Sequence, residues 1–159
     1  MANILQINVS QGGIPKRSVD RARVRNQGID GDAVSHTEIH GGPLQAVLLI
    51  MNESLEEMKS LGFPVYPGAL GENLTTSGLD RHDLRIGQRY RAGQAILELT
   101  KIRVPCATLN PYGKGIQKAI YDQQVKAGDS SSPRWGLSGF YASIVQEGWI
   151  LPGDRIERL

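Results

Sequence analysis

Short runs of apolar residues alternate with turns along the whole chain, and the turns are rich in glycine and proline. The sequence contains 19 glycines and eight prolines, and this punctuation is typical of an all-β barrel or sandwich. We therefore predict a mainly β fold, with strands at residues 4–9, 44–51, 140–145 and 154–159 and a hairpin over 88–102 that turns at Ala92-Gly93.

Two short helices are predicted between these strands. The first covers residues 54–61, where Ser54 and Glu57 have the spacing of a capping box and apolar residues share one face. The second covers residues 115–127 and ends before a serine-rich loop at 128–133. The pattern therefore predicts a β domain with two helical insertions.

The length of 159 residues predicts a single domain over 1–159. No apolar run is long enough to cross a membrane, and the first ten residues do not resemble a signal peptide. We therefore expect a cytoplasmic protein with no membrane partner.

The charge pattern argues against nucleic-acid binding. The net charge is only +2, and the 18 Lys and Arg residues are scattered instead of forming a run. The nine aromatic residues, two Trp, five Tyr and two Phe, are not interleaved with basic residues as in a base-stacking surface. A small anionic ligand fits this composition better than a polyanion.

Cys106 is the only cysteine, so it cannot form an intramolecular disulfide. It follows a β-branched stretch and Pro105, which has no N–H for a β ladder, and we therefore place Cys106 at the end of a strand. The neighbouring Arg103 and Lys101 would stabilise a thiolate, the form that attacks electrophiles and binds soft metals. A lone cysteine is also often an inert small apolar residue, and these residues leave both roles open.

A second candidate site is the stretch His36-Thr37-Glu38-Ile39-His40. On a strand, its two imidazoles and its carboxylate would project from one face and bind a divalent metal. Gly41-Gly42-Pro43 follows directly and favours a loop, in which the three side chains would be exposed polar groups. Both readings remain open at this point.

Two glycine-rich turns offer backbone N–H groups to an anion. The first, residues 68–74, includes Asn73, whose amide can both donate and accept a hydrogen bond. The second, residues 28–32, has the composition of an ordinary turn. Neither turn identifies a reaction by itself.

Taken in order, these motifs resemble the MOSC family, and the resemblance spans nearly the whole chain. The motifs that carry it are Gly28-x-x-Gly31-Asp32, His40-Gly41-Gly42, Pro67-Gly68-x-x-Gly71-Glu72-Asn73-Leu74, Arg103-x-Pro105-Cys106, Gly139-Phe140-Tyr141 and Gly153-Asp154.

The resemblance implies a single closed β-barrel, similar to the pyruvate-kinase β-barrel, with a few short helices. It further implies binding of the molybdenum cofactor (molybdopterin), with Cys106 either carrying sulfur as a persulfide or ligating molybdenum. The residues that would bind the cofactor, by position, are Arg103, Asn73, His40, Gly41, Gly71 and Arg134. A soft thiolate suits molybdenum, and a cationic rim suits the phosphate of the pterin.

One departure from the family concerns Ser143, which stands where related stand-alone bacterial proteins commonly have an arginine. Arg134 is our candidate for a replacement. The chain also has no aminotransferase-like domain that would bind pyridoxal phosphate. It would therefore take sulfur from a pyridoxal-phosphate-dependent, cysteine-desulfurase-type donor, or electrons from a redox partner, and a homodimer is compatible with this role.

Three functions follow for testing. The first is a molybdenum-cofactor-binding MOSC protein that acts as a sulfur carrier, or as a molybdenum-dependent oxidoreductase that reduces N-hydroxylated compounds. The second is a metal-dependent β-barrel enzyme that uses His36, Glu38 and His40. The third is a non-catalytic barrel that binds a small anion.

Overall fold

The computed structural model describes residues 1–33 and 42–159, and these residues form a mainly β fold with a few short helices. The strands are β1 (Asn3–Val9), β2 (Arg17–Val19), β3 (Ala22–Arg25), β4 (Gly28–Ile29), β5 (Val47–Met51), β6 (Leu74–Ser77), β7 (Arg89–Ala92), β8 (Ala95–Ile102), β9 (Phe140–Gln146), β10 (Gly148–Ile150) and β11 (Ile156–Arg158). The helices are α1 (Asn52–Ser60), α2 (Ile116–Ile120) and α3 (Gln123–Lys126), with 3₁₀ turns at Pro43–Gln45, Arg81–Asp83 and Ala107–Tyr112.

Eight strands form one sheet in the order β11-β7-β8-β9-β5-β6-β1-β2, and β10, β3 and β4 form a second sheet. Within the described residues neither sheet closes into a barrel, so the predicted closed barrel is corrected here. The start of β1 approaches the segment before β11 through a single bridge between Asn3 and Arg155 and a hydrogen bond from Ile4 N to Asp154 O of 2.8 Å. Gly153 N and Ile156 N also donate to Ile4 O (2.7 Å) and Ala2 O (3.0 Å), but within the described residues no continuous ladder joins β1 to β11.

All five residues of β5 are buried, because both faces of this strand are covered. Val47, Leu49 and Met51 join the larger apolar core, and the alternate residues Leu48 and Ile50 join a smaller core beneath α1 and α2. This two-sided burial explains why the sequence shows one continuous apolar run here instead of an alternating pattern. The predicted strand begins three residues early, because residues 43–45 form a 3₁₀ turn.

The capping box predicted at Ser54 and Glu57 is wrong. Helix α1 follows β5 without a loop, its N-cap is Met51 and no side chain caps it. Ser54 is therefore inside the first turn and buried, while the Glu57 carboxylate accepts a hydrogen bond of 2.9 Å from Arg81 Nη2. The apolar face was predicted correctly for Leu55 and Met58, which are fully buried.

The second predicted helix, 115–127, is two helices with a break at Tyr121-Asp122. The chain is extended at both residues, and the Asp122 carboxylate caps α3 by accepting a hydrogen bond of 2.8 Å from Val125 N. Aspartate competes with helix backbone in this way, which favours a cap over a helix interior. No helix in the described part of the chain has the length and apolar character needed to span a membrane.

Candidate functional site

A cavity of about 360 Å³ lies where the first turns of the chain meet β5 and the end of β8. Its walls come from segments far apart in sequence, and Ala33 and Gly42 on either side of residues 34–41 both line it. The polar side chains that line it are Lys16, Gln27, Asp32, Gln45, Asn73, Arg103, Thr108 and Tyr141.

Arg103 brings a buried positive charge to this cavity. Its backbone is fixed by a hydrogen bond from its N–H to Gly139 O (2.9 Å) and by the Ser138 hydroxyl, which donates to its carbonyl (2.7 Å). It is 5% exposed, and neither its Nε nor its Nη1 has a hydrogen-bond partner among the described residues. Burial lowers the pKa of Arg103, although nearby Tyr141, Cys106 and Glu72 act against this shift. A buried cation with unsatisfied donors is costly, and an anion in the cavity would offset its charge.

A second cation in the wall, Lys16, is already neutralised. Its Nζ lies 2.6 Å from Asp32 Oδ1, and both side chains are less than a tenth exposed. The backbone at Lys16 lies so close to Gly68 that a Cβ at position 68 would collide with the carbonyl of Lys16. With Asp32 paired to Lys16, Arg103 is the excess positive charge among the described lining residues.

Asn73 and Gly71 lie on the same cavity wall. The Asn73 amide accepts a hydrogen bond from Leu48 N (3.1 Å) and donates to Asp32 Oδ2 (2.9 Å) and Asn8 O (3.3 Å). These three hydrogen bonds fix the turn at residues 68–74 against β1, β5 and Asp32. Asn73 thus acts in the wall as a scaffold.

Cys106 is half-buried and is not among the residues that line the cavity; it follows the end of β8, predicted at Cys106 itself, by four residues. Its Sγ lies 2.9 Å from the hydroxyl of Thr108, which does line the cavity. Lys101, the other predicted neighbour of the thiolate, places its Nζ 5.6 Å from the centroid of the Tyr141 ring. The thiol therefore has a hydroxyl partner that the sequence reasoning missed.

Glu72, from the same motif as Asn73, is a fully buried carboxyl group behind the cavity wall. Thr75 donates a hydrogen bond of 3.0 Å to its Oε2, and its Oε1 has no partner. Burial raises the pKa of Glu72, and the backbone N–H groups of Gly68 and Glu72, the Thr75 hydroxyl and, least of all, the charge of Arg103 oppose this shift. The motif did not predict that Glu72 is buried, because glutamate is normally exposed.

Other predicted residues are not brought to the cavity or are not described. Arg134 donates from Nε to Ala119 O (3.2 Å), lies 3.5 Å from Asp122, and is not among the lining residues. His36, Glu38, His40 and Gly41 are outside the described residues. Within 1–33 and 42–159, no group of three His, Cys, Asp or Glu residues is placed to hold a metal ion.

The ion pair of Lys16 with Asp32 in the cavity wall was the feature hardest to predict from the sequence. Asp32 appeared in a motif, but no pattern linked it to a lysine sixteen positions earlier. The available signal was the close spacing of Gly68 and Gly71, since such glycines often mark a close backbone approach.

The fold and the cavity define a mainly β domain with a cavity that contains the buried cation of Arg103 and a half-buried cysteine nearby. The chain belongs to the MOSC domain family, whose model matches residues 36–157. The protein YflK of Bacillus subtilis (strain 168) is 30% identical over 149 residues, which is 92% of this chain and 63% of YflK. YiiM of Escherichia coli (strain K12) is 33% identical over 88 residues, 52% of this chain and 39% of YiiM. The chain thus spans less than two thirds of the length of either curated relative.

Solved structures agree with this assignment. YiiM from Geobacillus stearothermophilus superposes with a TM-score of 0.74 at 27% identity, covering all of this chain and 75% of that structure. YuaD from Bacillus subtilis has a TM-score of 0.72 at 19% identity, covering 99% of this chain and 94% of that structure. The YuaD similarity supports the fold alone.

Proposed function

We propose that this protein binds the molybdenum cofactor in the cavity and that Cys106 carries sulfur or ligates molybdenum beside it. The observation that carries the proposal is Arg103, a cavity-lining residue whose guanidinium is buried and has two nitrogen atoms without a hydrogen-bond partner among the described residues. Family membership supplies the identity of the ligand, and the charge of the cavity is consistent with it.

The residues present fit such a group. The cofactor is an anion with a planar heterocycle, and the cavity combines one excess positive charge with apolar walls from Ile14, Ile29, Leu48 and Leu70. Its volume falls within the range of about 300–1,000 Å³ typical of small-ligand sites. A half-buried thiol whose neighbour Thr108 lines the cavity matches the preference of molybdenum for soft ligands.

Each residue then has a defined task. Arg103 donates hydrogen bonds to an anionic group, and Lys16, Asp32 and Asn73 hold the facing wall in place. The hydroxyl of Thr108 accepts a hydrogen bond from the Cys106 thiol and donates one to the thiolate, so it serves both protonation states. When bound, the cofactor would supply two-electron redox chemistry and a site for a sulfur ligand.

The sulfur-carrier role and the reduction of N-hydroxylated compounds both use Cys106. They differ in what the purified protein contains, because a sulfur carrier holds a persulfide and an oxidoreductase retains molybdenum. A third outcome, simple anion binding, would need Arg103 but not Cys106.

The test is the molybdenum and pterin content of protein purified from a host that makes the cofactor. We compare the unaltered protein with Arg103→Met, Arg103→Lys and Cys106→Ser, and with Arg89→Met as a control, since Arg89 is exposed and pairs only with Glu98. Loss of charge-assisted hydrogen bonds worth about 1.5–3 kcal/mol predicts at least a tenfold lower content for Arg103→Met.

Arg103→Lys keeps the charge, loses the planar donors and should retain an intermediate amount. Thermal unfolding of every variant reports whether it is folded. Folded, unaltered protein that contains neither pterin nor molybdenum would overturn the proposal. Equal content in unaltered protein and folded Arg103→Met would remove Arg103 from the site.

A further inference from the structure

The small sheet formed by β10, β3 and β4 has one covered face and one face that the described residues leave open. Ala22, Val24 and Ile150 belong to the larger apolar core and are buried. Because side chains alternate along a strand, the neighbours of these residues lie on the opposite face. Two of the neighbours are large apolar residues, Trp149 and Leu151, which are 40% and 47% exposed. Neither of them lines the cavity, so the proposed function leaves this face unexplained.

Two arginines stand beside these exposed apolar side chains. Trp149 lies directly across from Arg23 in the antiparallel register of β10 and β3. The guanidinium carbon of Arg21 lies 5.1 Å from the centroid of the Trp149 ring, which is a cation–π contact. This contact orders the arginine without using its N–H groups, which can still pair with a carboxylate. We define the outer patch as Arg21, Arg23, Trp149 and Leu151.

The arginines of this face are paired at one end of the sheet and unpaired at the other. Arg25, the next outward residue of β3, lies 2.7 Å from a carboxylate oxygen of Asp30, and Glu147 also attracts it. Among the described residues, no ion pair includes Arg21 or Arg23. The outer patch therefore combines two available positive charges with exposed apolar surface.

The edge of β10 at Trp149 is already occupied by the chain itself. The Trp149 backbone N–H donates to Gln94 Oε1 (3.1 Å), and the Trp149 carbonyl accepts from Gln94 N (3.1 Å). A partner therefore cannot extend the sheet by pairing with Trp149. Recognition at this face has to use the side chains of the outer patch.

The composition of the outer patch favours an acidic protein over other partners. Tryptophan and arginine are enriched among the residues that dominate the energy of protein interfaces. Cations around an apolar centre are complementary to carboxylates around an apolar side chain. A second copy of the chain, docked symmetrically, would oppose arginine with arginine. Nucleic-acid bases stack on open aromatic faces, and Arg21 covers one face of Trp149.

We propose that the outer patch docks an acidic segment of a partner protein, in which carboxylates flank one apolar side chain. Arg21 and Arg23 pair with the carboxylates, and Trp149 and Leu151 pack against the apolar side chain. The inference goes beyond the proposed function, because no residue of the outer patch lines the cavity. Its test therefore does not depend on whether the protein binds the molybdenum cofactor.

The experiment selects binders to the full chain from a library of random peptides displayed on phage. Enriched peptides are synthesised with a fluorescent label, and their Kd is measured by fluorescence anisotropy. The first patch variant is Arg21→Gln with Arg23→Gln. Its matched control is Arg89→Gln with Arg91→Gln, which removes two charges at alternate, exposed positions of β7.

A second patch variant, Trp149→Ala, removes the apolar anchor and keeps both charges. Thermal unfolding of all variants reports whether they are folded. For each enriched peptide, a version with amides in place of its carboxylates tests the role of charge.

We expect the enriched peptides to carry carboxylates on both sides of an apolar residue. Their Kd should rise about tenfold or more with either patch variant and stay unchanged with the control variant. The amide peptides should bind as weakly to the unaltered protein as the acidic peptides bind to the arginine variant. Added salt should weaken binding to the unaltered protein more than binding to the arginine variant.

Several results would overturn the docking surface. One is a selection that enriches no acidic peptides, and another is a set of peptides that bind a folded patch variant as tightly as the unaltered protein. Tight binding of a single-stranded oligonucleotide, lost in the patch variants, would assign the face to nucleic acid instead. A dimer seen by sedimentation and lost in the patch variants would assign it to a second copy of the chain.

Discussion

The sulfur of Cys106 lies 2.9 Å from the hydroxyl oxygen of Thr108. Of these two residues, Thr108 lines the cavity and Cys106 does not. The hydroxyl can turn its proton toward a thiolate or accept the proton of a thiol. Thr108 therefore connects the reactive sulfur to the cavity in both protonation states. It belongs to a 3₁₀ turn, Ala107–Tyr112, for which Cys106 is the N-cap.

Replacing Thr108 with valine should slow the reaction of Cys106 with iodoacetamide at neutral pH by about two- to tenfold. Valine keeps the shape and removes a hydrogen bond whose net worth is about 0.5–1.5 kcal/mol. Thr108→Ser restores the hydroxyl and should restore the rate. If both variants react alike, the effect of position 108 is one of packing and the hydroxyl has no role.

Cys106→Ser should leave the fold intact and abolish both sulfur loading and molybdenum retention. The thiol is half-buried and its neighbour is a hydroxyl, so we expect a change in the free energy of unfolding of no more than about 1 kcal/mol. Urea unfolding measures that change, and persulfide labelling with elemental analysis measures the function. A Cys106→Ser protein with undiminished sulfur loading or molybdenum content would remove Cys106 from the chemistry.

Arg103→Met should be as stable as the unaltered protein without ligand, or more stable by about 1–3 kcal/mol. Within the described part of the chain, Arg103 is a buried cation with two unpartnered nitrogens, and apolar replacements of buried charged groups are often neutral or stabilising. The variant would gain stability while losing the ligand, as expected for a site kept for function. A large loss of stability in Arg103→Met would show that the guanidinium supports the fold instead.

Glu72→Gln should change how stability depends on pH. Burial raises the pKa of Glu72 in the folded state above its ordinary value of 4.5. A group of this kind stabilises the fold fully below the unfolded-state pKa, and the contribution is lost as the pH rises through the folded-state pKa. Relative to Glu72→Gln, the unaltered protein should therefore lose stability as the pH rises above about 4.5.

Urea unfolding at a series of pH values checks this dependence. The decisive quantity is how the difference in unfolding free energy between the two proteins changes with pH. Any pH-independent effect of the glutamine amide on stability shifts this difference by a constant and leaves its slope unchanged. Parallel curves for the two proteins would mean that the Glu72 carboxyl titrates alike in the folded and unfolded states.

The segment containing His36, Glu38 and His40 should bind no zinc or iron tightly. The prediction rests on Gly41-Gly42-Pro43, which favours a loop over a strand face on which three ligands converge. Elemental analysis of the purified protein provides the measurement, with His36→Ala and His40→Ala as comparisons. One equivalent of zinc or iron that disappears in either variant would revive the metal-dependent enzyme.

Local signals in the sequence were sufficient for the main strands and for the place of the cysteine. The β-branched residues of β8 and the missing N–H of Pro105 together predicted a strand that ends at Cys106. The strand ends at Ile102, four residues earlier, so the structure places Cys106 just after the strand. The capping box failed because β5 runs directly into α1, which moved the helix start by two residues. The short strands β2, β3, β4 and β10 have two to four residues each, too few for a clear period.

By itself, the sequence determined a mainly β chain, its family and its one thiol, because strand periodicity, turn residues and motif order are local properties. Only the tertiary structure decided what surrounds the thiol. The ion pair of Lys16 with Asp32, the buried guanidinium of Arg103 and the hydroxyl of Thr108 meet at one cavity through segments far apart in the chain. Charge balance in a buried site depends on distances and burial in space, and spacing along a sequence carries neither quantity.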